Sequence, residues 1–292
     1  MSQTNKSKNK NKRKTLRYIT VFIIIFILFF LSTFYKYYKR TASDVVEAGK
    51  LEESILLMSE KSAINIALKH EKQLIEAEEA RIAELEERKQ KNLALEKDKK
   101  KAFLTFDDGP SETVTSQILD ILKEYDVKAT FFIVGNLAEK YPDVIERIDQ
   151  EGHAIGNHTY SHRYNYIYRR TSNFIKELER TEKVLKAILG ENYETKLVRF
   201  PGGSFGDKKA PFRKAVLDNG YTYYDWNSLN GDAEGHYIPK DKLIERFKST
   251  YKGQKEITIL MHDMDSKYTT PESLPYIIEF LQKNDYEFYV LE

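Results

Sequence analysis

The sequence predicts an α/β domain folded as a distorted or incomplete (β/α) barrel of about seven parallel strands, preceded by a transmembrane helix and a long helical stalk. Three observations lead there. Glycine and proline are confined: no proline precedes Pro110, and Gly49 is the only glycine before Gly109 in a chain of 292 residues. Residues 18–35 carry no charge. From Ala102 onward, short β-branched and aromatic runs alternate with amphipathic stretches of helical length.

Turns draw on glycine for positive φ and on proline for a fixed φ. Residues 1–101 are therefore no compact, turn-rich domain, and the globular part starts near Lys101. Residues 1–17 form a basic tail with Lys6, Lys8, Lys10, Lys12, Arg13, Lys14 and Arg17. The run YITVFIIIFILFFLSTFY follows. At 1.5 Å per residue it spans roughly 27 Å, close to the ~30 Å hydrocarbon core of a bilayer. Residues 18–38 are read as an anchor, with Tyr35, Tyr37 and Tyr38 at the interface. A buried core helix fits poorly with unbroken apolarity and a basic flank. A cleaved signal peptide fits poorly because no A-x-A-like site follows, and Lys36, Lys39 and Arg40 come next. The basic tail places the N-terminus in the cytoplasm and the rest outside the cell membrane, as a single-pass protein.

Residues 39–101 read as an extracellular helical stalk, rich in Glu, Lys, Leu, Ile and Ala. A continuous helix there would reach on the order of 80 Å. Leu68, Ile75 and Ile82 are spaced as a heptad, but the positions three further on are Glu71, Glu78 and Leu85. This favours a solvated helix, with weak self-association at most, over a sustained coiled coil.

Strands are expected at 102–106, 128–134, 153–155, 197–200, 221–225, 257–261 and 286–290. Helices are expected at 113–124, 141–151, 171–189, 208–219, 240–251 and 273–283. This alternation over residues 102–292 implies βα units around a parallel sheet, whose chemistry collects at the C-terminal strand ends. The formal net charge of +2 argues against a nucleic-acid partner. The absence of cysteine excludes disulfides and thiolate metal sites.

Polar clusters sit where the strands end. The first strand runs into TFDDGP. A turn accounts for Asp-Gly-Pro, yet a turn needs only one aspartate. Adjacent residues point in different directions, so one of Asp107 and Asp108 can bind a metal while the other stays free. His158 and His162 in HTYSH are four apart, which on a helix places both on one face. Two His and one Asp leave an open coordination position, as in catalytic zinc sites. ITILM runs into His262 and Asp263, and a histidine there suits general-acid work. Arg199, Pro201 and Gly202 follow another strand, and Asp225 and Trp226 a further one. His153 reads as structural; His70 and His236 carry no assigned role.

In order, TFDDGP, HTYSH, RFPGG, DW and LMHD resemble the five motifs of the NodB-homology polysaccharide deacetylases, carbohydrate esterase family 4. The resemblance covers roughly residues 102–291. It implies Asp107 as general base and Asp108, His158 and His162 as ligands of a divalent metal, zinc first, with cobalt or manganese as alternatives. It further implies Arg199 orienting Asp107, His262 as general acid, and Asp225 holding the charge and ring of His262. Trp226 and Leu260 would line the acetyl pocket beside Pro201, and the Gly202 N–H would stabilise the oxyanion. Where the family often has Arg-x-Pro-Tyr, this chain has Arg199-Phe200-Pro201-Gly202, so a groove side chain is missing. The implied activity is removal of N-acetyl groups from cell-wall glycan, most naturally N-acetylglucosamine of peptidoglycan. The alternatives are N-acetylmuramic acid, a chitin oligomer, an exopolysaccharide or acetyl xylan, or a non-catalytic wall-binding protein.

Overall fold

The computed structural model describes residues 2–41 and 46–292. The chain divides into two compact units, Met1–Leu95 and Glu96–Glu292. Helix α1 spans Ser2–Thr41 and α2 spans Val46–Asp98. Within α1, Tyr18–Lys36 is long and apolar enough to cross a membrane, and none of it is buried. Along α2, Leu68, Ile75 and Leu85 stay exposed.

The second unit opens with β1 (Lys100–Asp107), α3 (Val114–Glu124), β2 (Thr130–Ile133), α4 (Gly135–Lys140), α5 (Pro142–Gln150) and β3 (Ala154–Asn157). It continues with α6 (Tyr164–Ile167), α7 (Thr171–Leu189), β4 (Leu197–Val198), α8 (Ala210–Asp218), β5 (Thr222–Tyr223) and β6 (Ser228–Leu229). It closes with α9 (Lys240–Thr250), β7 (Glu256–His262), α10 (Thr270–Lys283) and β8 (Tyr286–Phe288). The seven strands β5-β4-β3-β2-β1-β7-β6 form a curled parallel half-barrel, and β8 pairs with the start of β1.

Side-chain alternation along β1 sorts two layers. Ala102, Leu104 and Phe106 join the large core between sheet and helices, with Ile118, Leu122, Phe131 and Ile259. Phe103 belongs to the other face, in a small cluster with Phe132, Leu197 and Leu291. Thr105 and Asp107 share the parity of Phe103. The β1–β7 register runs from Lys101↔Glu256 to Asp107↔His262. The expected base and the expected acid are thus register partners on adjacent strands, whose spacing is about 4.8 Å.

Most expected elements appear within two or three residues of their anticipated bounds. The helices α4 and α6 and the strand β6 were not foreseen. Strand β6 has only two residues, and its pairing with Ile259 and Leu260 defines it rather than its composition. Residues 158–162 are irregular, so the four-residue spacing of the histidines does not act through a helix face: Thr159 and His162 hold φ of 68° and 53°.

Gly156 fixes a close approach. A Cβ there would meet the Phe132 ring at 2.3 Å, and Phe132 is fully buried beneath the Arg199 guanidinium. Gly156→Ala is expected to lower stability by about 1–3 kcal/mol through overpacking, read as a drop in thermal midpoint. Activity should fall as well, because the displaced ring presses on Arg199.

Candidate active site

The end of β1 carries two carboxylates in different settings. Asp107 is 3% exposed and keeps strand conformation. Asp108 turns into the left-handed region at φ 73°. Gly109 follows because nothing larger fits: a Cβ there would lie 2.1 Å from Asp263 Oδ2. Asp263 itself is buried, accepts a bond from Thr115 Oγ1 at 2.7 Å, and is pushed up to about 7 by burial.

His158 and His162 reach Asp108 through a tethered loop, not along a helix face. Asn157 Oδ1 accepts from Thr159 N at 3.0 Å, Thr159 Oγ1 from His162 N at 3.2 Å, and Glu177 Oε2 from Ser161 N at 2.6 Å. The two imidazoles lie 4.9 Å apart, centre to centre. Three of the five non-glycine residues with positive φ among the described residues are Asp108, Thr159 and His162. For a β-branched residue such as Thr159 this is a strained conformation, of the kind that clusters at active sites at about 1–3 kcal/mol each.

The donor atoms converge. His158 Nε2 and His162 Nε2 lie 3.4 and 3.1 Å from Asp108 Oδ1. His158 Nδ1 donates to the Arg199 carbonyl at 2.8 Å, which leaves its Nε2 lone pair for a ligand. Asp108 Oδ1 is buried without a hydrogen bond. Burial opposes the charge of Asp108, but His158 and His162 outweigh it and hold the carboxyl well below the usual range. Two imidazole nitrogens and an unsatisfied carboxylate oxygen, all within 4.8 Å of one another, fit a divalent cation.

Beneath this cluster lies Arg199, fully buried. Its Nη1 donates to Asp107 Oδ1 at 3.0 Å and to Thr105 Oγ1 at 2.5 Å, and its Nε donates to the Tyr224 carbonyl at 3.0 Å. Its guanidinium lies 4.2 Å from the Phe132 ring centre and 5.8 Å from that of Trp226. Leu260 is buried on β7, two residues before His262 and therefore on the same strand face.

His262 is held by Asp232, which the sequence reading missed. Asp232 Oδ1 accepts from His262 Nδ1 at 2.7 Å, and Oδ2 accepts from His262 N at 2.7 Å and from Thr270 Oγ1 at 2.8 Å. Burial disfavours the imidazolium, but the Asp232 carboxylate outweighs it and pushes the pKa up to about 9. The expectation that Asp225 holds His262 is therefore corrected. Asp225 accepts from Ser204 N at 2.8 Å and from Ser204 Oγ. It fastens the loop carrying Pro201, Gly202 and Gly203. The same loop gives its carbonyls to Lys209, Arg213 and Tyr168.

Comparison with known proteins agrees with this geometry. Residues 94–224 match the polysaccharide deacetylase family. The peptidoglycan-N-acetylglucosamine deacetylase of Bacillus cereus (strain ATCC 14579) is 31% identical over 195 residues, 66% of this chain and 69% of that protein. The putative polysaccharide deacetylase YheN of Bacillus subtilis (strain 168) is 34% identical over 197 residues, 66% of this chain and 67% of that protein. The chain belongs to the polysaccharide deacetylase family. A CE4 esterase from Streptococcus mutans superposes with a TM-score of 0.62 at 35% identity, covering 66% of this chain and 87% of that one.

One signal could have located Asp232 in this deacetylase. It is an acidic residue just past a strand end, as Asp108 and Asp263 are. The strand before it is too short to be read from sequence, whereas Asp225-Trp226 stood out. The structure separates the two aspartates by their partners. Asp232→Asn is expected to cut kcat by about 10²-fold or more. It should also move the alkaline limb of the pH profile downward, because His262 loses the charge that raises its pKa and so loses its proton at lower pH. Asp225→Asn should leave that limb in place. Profiles of kcat/KM against pH for both variants check this.

Proposed function

We propose that the protein removes N-acetyl groups from cell-wall glycan, with N-acetylglucosamine of peptidoglycan as its substrate, releasing acetate and leaving a free amine. The observation that carries this reading is the Asp107–His262 register pair, flanked by the Asp108, His158 and His162 donors. The substrate is supported by the name of the Bacillus cereus relative, and by an apolar helix and a 53-residue helix ahead of the enzyme unit. In this reading residues 18–38 anchor the chain in the cell membrane, residues 39–101 are the stalk, and residues 102–292 work outside, within reach of wall polymer.

Asp108, His158 and His162 would hold a divalent ion, zinc first, which would supply Lewis acidity toward the acetyl carbonyl and an attacking water. Asp107 takes the proton of the attacking water. Arg199 keeps Asp107 oriented, because its guanidinium is buried against that carboxylate. The Gly202 N–H, which no group among the described residues accepts, donates to the carbonyl oxygen as negative charge develops there. Leu260 and Trp226 border the acetyl methyl. His262, kept protonated by Asp232, gives its proton to the departing amine, and the C–N bond breaks.

Acetate release from peptidoglycan, chitin oligomer and acetyl xylan tests the reading. Release from peptidoglycan is expected to exceed the others. Release from xylan alone would sink the substrate assignment. Asp107→Asn should lower kcat by about 10²–10⁴-fold with an unchanged circular dichroism spectrum. Treatment with dipicolinate should abolish activity, and added zinc should restore it.

A further inference from the structure

The loop at Gly202 offers a wall with no side chain of its own. Gly202 is exposed and holds φ 72°, and Gly203 follows at φ 80°. The direction a residue-202 side chain would take is already filled. A Cβ there would lie 3.0 Å from Tyr164 Oη and 3.3 Å from Tyr164 Cε1. Tyr164 opens α6, two residues past His162, and its ring stands edge-on to the His162 ring at 5.3 Å. It is braced from behind by Tyr168, whose ring centre lies 5.9 Å away and whose hydroxyl donates to the Pro201 carbonyl at 2.8 Å. Tyr164 is nonetheless 47% exposed. Its hydroxyl has no hydrogen bond among the described residues, while the hydroxyls of Tyr125, Tyr160, Tyr168, Tyr221 and Tyr286 all have one.

We propose that Tyr164 is a substrate-contacting residue: it forms the groove wall beside Gly202, and its hydroxyl hydrogen-bonds the acetamido sugar. This rests on the reading of the site as a glycan deacetylase. The chemistry fits. The ring presents an apolar edge and face of the kind that packs on a pyranose, with a polar tip left for a sugar hydroxyl. The position lies between a ligand histidine and the loop bearing the free Gly202 N–H, so a sugar whose acetyl group enters the centre passes over it. The glycines at 202 and 203 leave room for this: a larger residue at 202 would collide with Tyr164.

Binding without turnover gives the test. An N-acetylglucosamine oligomer is titrated calorimetrically into zinc-loaded Asp107→Asn protein and into the Asp107→Asn, Tyr164→Phe double variant. The phenylalanine keeps the ring against His162, and equal zinc content and thermal midpoint verify that the site is intact. Affinity about tenfold weaker in the double variant is expected, the loss of one net hydrogen bond. In the otherwise native protein, Tyr164→Phe should raise KM by a similar factor with kcat within about twofold. Unchanged affinity, or a fall in kcat at constant KM, overturns the assignment, as does a chain that binds no oligomer. A native chain that binds the oligomer but releases no acetate sinks the substrate reading instead.

Discussion

The buried pair of Arg199 and Asp107 organises the enzyme unit. A guanidinium with no exposure inside a half-barrel is costly unless every donor is met. Here Asp107, Thr105, the Tyr224 carbonyl and the Asp225 carbonyl meet them, the last at 3.4 Å. The ends of β1 and β5 are thereby tied to one side chain that follows β4. Removing one partner of such a pair is expected to be far more damaging than replacing both, since the survivor is left charged and unpaired. The same pair sets the chemistry. The Arg199 carbonyl accepts from His158 while its guanidinium faces Asp107, so one residue orients both a proposed metal donor and the proposed base.

The closeness of Phe132 and Gly156 follows from that arrangement. A planar cation needs a flat floor, and Phe132 supplies it at 4.2 Å. The ring can lie there only because β3 presents Gly156 opposite it, at a register where Phe132↔Gly156 are direct neighbours. Packing and electrostatics are therefore one constraint at this level of the barrel. The apolar interior is the support of the ion pair, and the ion pair replaces apolar filling at the top of the barrel.

The fold was legible in the sequence because it rests on periodicity. Residues 171–189 were read as a helix and Thr171–Leu189 is one. The strands 102–106 and 257–261 lie within β1 and β7. Asp107, Asp108, Arg199 and His262 stand out in the sequence as polar residues following apolar strands, and His158 and His162 by their spacing; the structure brings all six together. What was hidden depends on pairing in space. Strand β6 exists through its bonds to β7, and Asp232 takes its meaning only from that strand. The His158–His162 spacing would bring both rings together on a helix face, and the loop attains the same convergence through left-handed turns. Asp225 was assigned by its place in the chain, and its true partner, Ser204, lies on a loop whose shape no local pattern encodes.

That loop shows how the site divides its labour between rigid and compliant parts. The proposed acid and base sit on β7 and β1, whose backbone bonds fix them, and the proposed histidine ligands follow β3 on a loop tethered by Asn157, Thr159 and Glu177. The Gly202 N–H has no strand to hold it, and two successive positive-φ glycines would by themselves leave it poorly aimed. Side chains take over: Asp225 grips Ser204, Lys209 and Tyr168 take the Pro201 carbonyl, and Arg213 takes the Ser204 carbonyl. With the carbonyls bound outward, the Gly202 N–H is left as the free dipole of the segment. An oxyanion donor is effective when it is oriented before charge appears, because reorganisation then costs nothing at the moment of reaction. The polar residues around 204–213 are thus best understood as the rigid frame of a flexible glycine pair, doing for the loop what the sheet does for Asp107 and His262.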